Sequence, residues 1–424
     1  MIWSCYPAAG AKASQGVRPG KRSGSVALAE ETRTTCFGLP AGRVGFVFYP
    51  LAQNLDPTVF ESETRVSQSA RAQSVVRIAA IGIANPPVRV PQSLGMELVR
   101  ANYREVLSDR SMDVLEKVFA HPSIQARYLS FDNELEVVTL KNEDPDRRMD
   151  RFTRWSTKLS QQAAVSALRD AGVSADEIRT IVVNTCTGYI CPGVSTYLLE
   201  AMKLDGSVRV FDAVGSGCGG ALPNFDLAAH SLHANPSGVS LSVAVEICSA
   251  TFQMDNDMSL LISNAIFGDG AAAAVLWTRP EGLRIIDSAG CIDTSYREDV
   301  RYVYKQGRLH NKLAVQLPKV VGMVVPPLID GLLERNGLTR RDVKHWAIHP
   351  GGDRMVATLE ETLELTEEQM APTRQVLQDY GNMSSPTVLF VLKKLMDRGI
   401  KPGEKVLLTA YGAGMSAYAC LLEA

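Results

Sequence analysis

The stretch VRVFDAVGSGCGGALPNFDLAAHSL, residues 208–232, runs from an apolar strand through a Gly-Ser-Gly turn and Cys218 into a helix. The N-terminal amides and the dipole of a helix favour a thiolate at such an elbow. The glycines around Cys218 leave space for a substrate and supply amides that can bind an oxyanion. Because a cysteine before a helix is often only a packed small residue, this segment alone leaves both interpretations open.

From residue 75 onward, strand-like and helix-like periodicities alternate. Apolar runs typical of strands occupy 75–84, 180–186, 208–214, 239–247, 271–277, 283–290, 345–351, 405–412 and 416–423. Helical spacing marks 111–120, 156–172, 317–337 and 385–399, the last with Ser385 as its predicted cap. This alternation predicts an α/β fold whose mixed or parallel sheets are covered on both sides. No long Gly/Ser or Pro linker interrupts residues 75–424, so we expect one compact body.

The composition is that of a globular protein with little net charge. Among 424 residues, 44 Lys and Arg stand against 46 Asp and Glu, and 46% are hydrophobic. These values exclude a disordered chain and a small disulfide scaffold. Residues 1–75, rich in Gly, Ser, Pro, Ala and Arg, are predicted to be a flexible N-terminal extension, with a mis-start of translation or a transit peptide as alternatives. No apolar run is long enough for a membrane span.

Eight cysteines are too sparse for a disulfide framework, and they include no CxxC pair. Such a pattern is typical of free thiols in a reducing cytoplasm. No zinc-site spacing and no nucleic-acid motif accompanies them. We therefore expect a cytoplasmic protein without a metal.

Two further loops offer partners for Cys218. HWAIHPGGD places His349 at the end of an apolar strand, where α/β proteins present catalytic side chains. YGNMSSP places Asn382 in a turn just before a helix. Cys, His and Asn could serve as nucleophile, base and polarising amide. A structural histidine and a turn-forming asparagine remain the alternatives.

Beyond the elbow, several motifs follow one another in a fixed order. They are GSGCGGA around Cys218, AIFGDGAAAA around Phe267, HWAIHPGGD around His349, YGNMSSPTVLF around Asn382 and YGAGMSAY near the C-terminus. In this order they resemble the type III polyketide synthases of the chalcone and stilbene synthase family, over residues 76–424. The resemblance implies a thiolase-like fold of two similar α/β halves, 76–280 with the cysteine and 281–424 with His and Asn, packed as a layered αβαβα body. It also implies a homodimer.

The resemblance further implies an acyltransferase that uses acyl-CoA and malonyl-CoA and needs no bound cofactor. Cys218 would carry the starter and the growing chain as a thioester. His349 and Asn382 would donate hydrogen bonds to the malonyl thioester carbonyl while carbon dioxide leaves. Phe267 would separate the CoA tunnel from the reaction cavity and exclude water. Asp269, in a Gly-Asp-Gly sequence, is interpreted as a turn former.

The same resemblance suggests binding residues and points to departures. Cys186 and Cys248 occupy positions that are Thr in plant chalcone synthases, and Ser384 follows Asn382 into the cavity. The family's C-terminal Gly-Phe-Gly-Pro-Gly loop reads Tyr-Gly-Ala-Gly here, at 411–414. The second aromatic gate of the plant enzymes aligns with 313–315, where no aromatic occurs. We therefore expect a wider acyl tunnel and a fatty acyl starter.

Basic residues are needed for the phosphates of CoA. Arg127 in IQARYL matches a basic CoA contact of the family, and Arg354 follows His349 by five residues. The arginines of DRRMDRFTRWSTK, residues 146–158, are a further group, interpreted more readily as a solvated helix face.

A ketoacyl-acyl carrier protein synthase III is the main alternative, because it shares the fold and the Cys-His-Asn set. That family has Asn-x-Ala-His-Gln-Ala in place of HPGG and ends on Gly-Phe-Gly-Gly-Gly. HPGGD and GNMSS differ from it, whereas YGAGMSAY lies between the two patterns. A non-catalytic scaffold of the same fold would lack the nucleophile, the base or the amide, and all three are present here.

Overall fold

The computed structural model describes residues 75–424. The predicted N-terminal extension, residues 1–75, lies outside the described residues except for Val75. The strands are β1 (Arg77–Ala84), β2 (Val88–Pro91), β3 (Ala126–Leu129), β4 (Ile178–Asn184), β5 (Arg209–Ala213), β6 (Val239–Ile247), β7 (Asp269–Trp277), β8 (Leu283–Ile292), β9 (Val300–Lys305), β10 (Arg308–Leu313), β11 (Val343–Ile348), β12 (Lys405–Gly412) and β13 (Ser416–Glu423). The α-helices are α1 (Gln92–Tyr103), α2 (Asp109–Phe119), α3 (Pro145–Ala171), α4 (Val194–Ala201), α5 (Ala221–Ala234), α6 (Met258–Ile266), α7 (Leu317–Arg335), α8 (Asp353–Leu363), α9 (Glu367–Tyr380) and α10 (Thr387–Arg398).

Nine strands form one mixed sheet in the order β11-β12-β13-β8-β1-β7-β6-β4-β5. Only two residue pairs join β1 to β8, Arg77 with Arg284 and Ile78 with Leu283. The sheet therefore consists of two sections that meet along a narrow junction. The first section has the five strands β1, β7, β6, β4 and β5, and the second has the four strands β8, β13, β12 and β11. β9 and β10 form a separate hairpin, and β2 pairs with β3 in a second small sheet.

The helices pack in three layers around these two sections. α5 and α10 share one buried apolar cluster with both sections and so lie between them. α3 and α4 cover the outer face of the first section, and α7 and α8 cover the outer face of the second. The order of layers is helix, sheet, helix, sheet, helix, which confirms the predicted layered α/β fold.

Strand composition explains why the sheet is interior. Every residue of β6, VSLSVAVEI, and of β7, DGAAAAVLW, is buried, as expected for strands covered on both faces. Among the described helices, none has the length and apolarity that crossing a membrane would require.

Helix ends differ from the predictions in two places. α3 begins at Pro145, with Asp144 as its cap, so the arginine-rich run forms its first turns. The predicted cap Ser385 does not cap α10; its hydroxyl donates to Glu246 at 2.8 Å instead. No side chain caps the start of α10. The Thr387 hydroxyl accepts from the Met383 amide, which precedes the helix, at 2.9 Å.

Candidate active site

Cys218 lies in a single turn, Gly217–Gly219, between β5 and α5. Gly217 has a φ of 55°, a left-handed conformation that favours glycine. The end of β12 packs directly against this turn: a Cβ at Gly412 would lie 2.3 Å from the Ser216 carbonyl oxygen and 2.9 Å from the Cys218 amide nitrogen. The C-terminal section therefore fixes the position of the nucleophile.

His349 and Asn382 come to the same site from the second section and from the start of α10. The His349 amide follows β11 and donates to the Thr409 carbonyl at 2.9 Å. The Asn382 side chain donates to the Gly351 carbonyl at 3.0 Å and accepts from the Ser384 amide at 2.7 Å. These two bonds fix the orientation of the amide.

His349 is fully buried, and neither of its ring nitrogens has a hydrogen-bond partner. Its ring meets Tyr411 edge to face, with 5.4 Å between the centroids. Burial lowers the pKa of His349 to about 3. The imidazole is therefore neutral near pH 7 and offers one donor and one acceptor to a bound molecule.

The Cys218 thiol is protonated near pH 7 in this state. Burial raises its pKa to about 12, whereas hydrogen bonds with Ser384 and Asn382 act to lower it. The predicted stabilisation of a thiolate by the helix is therefore outweighed by loss of solvent. His349 makes no hydrogen bond that would reverse this balance, since both of its ring nitrogens are unpartnered.

Glu246 is a residue that the sequence analysis missed. Its carboxyl group is fully buried at the end of β6 and has no cationic partner among its hydrogen-bond donors. Burial raises the pKa of this carboxyl. The donors to it are the Cys186 and Thr187 amides and the hydroxyls of Thr185, Thr187, Ser384 and Ser385. A single acid at the end of an uncharged strand, VSLSVAVEI, was the signal that could have revealed it.

The predicted cavity residues lie around this carboxyl. The Cys186 sulfur is 3.4 Å from the Ser384 hydroxyl, which is itself 3.3 Å from Glu246. Ser384 has a φ of 60°, an uncommon conformation for a residue other than glycine. Cys248 and Phe267 line an adjacent apolar cavity. The structure thus places Cys186, Cys248, Ser384 and Phe267 beside the site.

A second missed residue is Tyr302, on the β9–β10 hairpin. Burial raises the pKa of its hydroxyl above the ordinary value, Cys186 and Cys248 act in the same direction, and a hydrogen bond with Thr251 lowers it. Thr251 lines the same cavity as Cys248. Tyr302 is not among the residues that line this cavity; its aromatic side chains are Tyr103, Phe119, Phe252 and Phe267, and none of them comes from 313–315.

The two predicted CoA contacts have different surroundings. Arg354 is exposed in the first turn of α8. Arg127 is buried, and its guanidinium donates to Gln92 and to the carbonyls of Asn264 and Phe267. A guanidinium held in this way does not reach CoA phosphates in solvent, so the sequence-based role of Arg127 needs revision.

Three of the remaining charged residues are buried and structural. Arg148 and Arg151 are buried, contrary to a wholly solvated helix face, and Arg151 pairs with Glu143 at 2.7 Å. Asp269 is also buried and accepts from the Ser130 and Ser249 amides at 2.7 and 2.8 Å. It therefore ties two loops together in addition to starting β7. Within residues 75–424, no group of three His, Cys, Asp or Glu side chains could hold a metal ion.

The sequence matches two family profiles that together span most of the chain. The profile described as "Chalcone and stilbene synthases, N-terminal domain" covers residues 62–280, and its C-terminal counterpart covers 298–423. A 3,5-dihydroxyphenylacetyl-CoA synthase of Streptomyces toyocaensis is 30% identical over 366 residues, which is 82% of this chain and 93% of the relative. A synthase of the same name from Amycolatopsis balhimycina is 27% identical, covering 86% and 98% of the two chains.

Solved structures agree with these matches. PKS-I from the brown alga Ectocarpus siliculosus is 28% identical with a TM-score of 0.75, covering 82% of this chain and 98% of the other. The 1,3,6,8-tetrahydroxynaphthalene synthase of Streptomyces coelicolor, a bacterial type III polyketide synthase, is 25% identical with a TM-score of 0.75, covering 82% and 99%.

Proposed function

Because the chain belongs to the chalcone and stilbene synthase family, we propose that Cys218, His349 and Asn382 perform its acyl transfer and condensation. The chain is a type III polyketide synthase, an acyltransferase that uses a starter CoA thioester and malonyl-CoA. The observation that supports the residue roles is the neutral, buried His349 with two unpartnered ring nitrogens, two residues before the Gly351 carbonyl that accepts from Asn382, whose side chain also bonds Cys218.

Loading begins when the Cys218 sulfur attacks the thioester carbonyl carbon of the starter. The new carbon–sulfur bond replaces the bond to CoA, which leaves as the thiol. Since the pKa of Cys218 is raised to about 12, its proton must be removed as the attack occurs. The proton passes from the Cys218 sulfur through the neutral His349 ring to the departing CoA sulfur in one concerted transfer, so that neither a free thiolate nor an imidazolium accumulates.

The extension step uses His349 and Asn382 as hydrogen-bond donors. When malonyl-CoA loses carbon dioxide, the electron pair of the broken carbon–carbon bond moves onto the thioester carbonyl oxygen. The N–H groups of His349 and Asn382 stabilise that oxygen without supplying an acidic group that would quench the carbanion. The carbanion attacks the acyl carbonyl on Cys218, a carbon–carbon bond forms, and the bond to the Cys218 sulfur breaks.

For the starter, we propose an aliphatic acyl-CoA. The cavity beside Cys248 and Phe267 has mostly apolar walls, which include Leu98, Val99, Leu129, Val137, Leu140 and Phe252. Each buried methylene contributes about 0.8 kcal/mol, so KM should fall roughly fourfold per added methylene until the cavity is filled. A KM that is flat or rises with chain length would refute the aliphatic starter and leave the polyketide synthase reaction intact.

Arg354 supports CoA binding in this proposal. It lies in the first turn of α8, which follows His349 and Gly351 by a few residues, and its side chain is exposed. An exposed guanidinium there can meet the phosphates outside the tunnel. Arg354→Ala should raise KM for malonyl-CoA several-fold with little change in kcat, and a change confined to kcat would contradict this role.

We also propose that the protein is a homodimer and lies in the cytoplasm. β5 is an edge strand, paired only with β4; the side chains of Phe211, on this strand, and of Val214, just after it, are 42% and 62% exposed. Exposed apolar groups beside an unpaired strand are typical of an interface. The six cysteines of the described residues are free, as in a reducing compartment. Light scattering should give twice the chain mass, and Val214→Asp should lower it.

The function is tested by incubating the full chain with malonyl-CoA and acyl-CoA starters from acetyl to long-chain. Liquid chromatography with mass spectrometry should detect cyclised polyketides carrying the starter. Malonyl-acyl carrier protein is the comparison substrate. Activity with the carrier protein alone would favour a ketoacyl synthase III and contradict the proposal.

A further inference from the structure

The C-terminal end of α6 lies directly before the aromatic gate Phe267. A helix leaves its last four carbonyls without partners inside the helix. Here the Phe267 amide closes the last turn on Ser263 at 2.9 Å, which leaves the carbonyls of residues 264–267 open. Each of these four carbonyls is bonded from outside the helix.

Three residues supply those bonds. Arg127 Nη1 donates to the Asn264 and Phe267 carbonyls at 2.6 and 2.9 Å. Gln92 Nε2 donates to the Ala265 carbonyl at 2.8 Å. The Asn382 amide donates to the Ile266 carbonyl at 2.9 Å. The same arrangement that ends α6 therefore holds the backbone of the catalytic asparagine.

Phe267 and Asn382 are also joined directly. They form an isolated parallel bridge, and the Gly268 amide donates to the Asn382 carbonyl at 2.9 Å. The stem of Arg127 lies under this bridge, since a Cβ at Gly381 would be 2.7 Å from Arg127 Cγ. The backbones of Phe267 and Asn382 are thus joined to each other, and Arg127 packs against both.

The charge of Arg127 matches this position. Its Nε donates to Gln92 Oε1 at 2.8 Å, and its guanidinium lies 5.4 Å from the centre of the Phe119 ring. The partners of these bonds are carbonyl and amide oxygens, not a carboxylate. A cation at a helix C-terminus is stabilised by the negative end of the helix dipole. The planar fork of Arg reaches two carbonyls and an amide at once, which a lysine ammonium cannot do in the same geometry.

We propose that Arg127 is a positioning residue that holds Phe267 and Asn382 in register for malonyl decarboxylation. This inference rests on the proposed function. Loading of Cys218 depends on a different support, the contact of its turn with Gly412. Loss of Arg127 should therefore separate the two half-reactions.

The experiment compares Arg127→Lys with the matched control Arg169→Lys, an exposed arginine at the end of α3. Release of carbon dioxide from malonyl-CoA and acyl loading of Cys218, by intact-mass spectrometry, are measured separately. For Arg127→Lys we expect kcat of decarboxylation to fall by about 10- to 100-fold, with unchanged loading stoichiometry and little change in KM. Arg169→Lys should match the wild type in both.

If Arg127→Lys does not fold, Gln92→Ala tests the positioning role of Arg127 instead. It removes the amide that Arg127 orients and should lower decarboxylation several-fold without affecting loading. Wild-type decarboxylation in the folded variants, or an equal fall of loading and decarboxylation, would overturn the positioning role. If the wild type itself releases no carbon dioxide from malonyl-CoA, the proposed function fails instead.

Discussion

At the scale of single residues, His349 combines complete burial with two unpartnered ring nitrogens. Leaving a buried polar group without a partner costs about 1–3 kcal/mol, so such groups are rare in folded proteins. A substrate carbonyl would supply the missing partner. In the proposed role, His349 would be a donor that is already desolvated and needs no rearrangement when charge develops.

This arrangement predicts that substitutions divide the reaction into two steps. Cys218→Ala should abolish acyl loading because no other sulfur has the same place at the elbow. His349→Ala and Asn382→Ala should lower malonyl decarboxylation by about 10²- to 10³-fold, since each removes a donor to the developing oxyanion. Loading is measured by intact mass after incubation with an acyl-CoA, and decarboxylation by release of carbon dioxide.

Cys186→Ala and Cys248→Ala serve as controls, because both thiols lie near the site and neither is assigned the acyl group. Both variants should still be labelled. Persistent labelling of Cys218→Ala would show that another thiol carries the acyl group and would contradict the assignment.

Site residues could be predicted from the sequence where the residue type and its position in a loop both indicated the same role. Cys218, His349 and Asn382 each follow or precede an element within a short motif, so their convergence could be expected. Glu246 could not be found in this way, because its role depends on contacts between distant segments. Arg127 shows the same limit: its residue type suggests phosphate, but burial and backbone carbonyls decide its partners.

At the scale of elements, the nucleophile turn is shaped by the end of β12. No side chain fits at Gly412, because a Cβ there would be 2.3 Å from the Ser216 carbonyl oxygen. The close approach of two backbones explains why the family-like loop at 411–414 has this glycine although its neighbours depart from the family pattern. The position of Cys218 is thus a property of two elements and not of its own turn alone.

Gly412→Ala should therefore displace the turn and lower the rate of acyl loading by at least about tenfold, as expected when a reacting group is misplaced. Gly331→Ala is the matched control, since Gly331 lies in α7 and a Cβ there would have no neighbouring atom within 4 Å. The control substitution should leave loading unchanged and stabilise the protein slightly, by up to about 1 kcal/mol, because alanine is the better helix former.

Loading rates for this pair of variants follow from stopped incubations analysed by intact mass, and stability follows from urea unfolding. Equal loading by the two variants would show that the β12 contact does not position the nucleophile.

Secondary structure was predictable where one periodicity ran the length of an element. The buried strands and the centres of α3 and α10 belong to this class. The start of α3 was wrong because Asp144 caps the helix and Pro145 begins it, and the cap of α10 was wrong because the Ser385 hydroxyl donates to Glu246. The β9–β10 hairpin, with the sequence VRYVYKQGRLHNKL at 300–313, was not identified, since charged residues interrupt its alternation.

At the scale of the whole molecule, the two sheet sections depend on a shared middle layer. α5 begins beside Cys218 in the first half of the chain, α10 begins beside Asn382 in the second, and both pack in one apolar cluster. The nucleophile and the amide donor therefore lie at the ends of two neighbouring helices. A fold that buries these helices together also desolvates the site, and this links catalysis to the stability of the whole protein.

That link predicts how stability depends on pH. The pKa of His349 is about 3 in the folded protein and near 6.5 in the unfolded chain. Between these values the unfolded chain binds a proton that the folded protein does not, so His349 lowers stability as pH falls below about 6.5. Its contribution to the unfolding equilibrium should approach about tenfold per pH unit. The free energy of unfolding, measured in urea from pH 8 to pH 5, should therefore diverge between the wild type and His349→Gln below about pH 6.5, with the variant less sensitive to acid. A parallel pH dependence of the two proteins would mean that the folded protein accepts the proton and that His349 is not held neutral by burial.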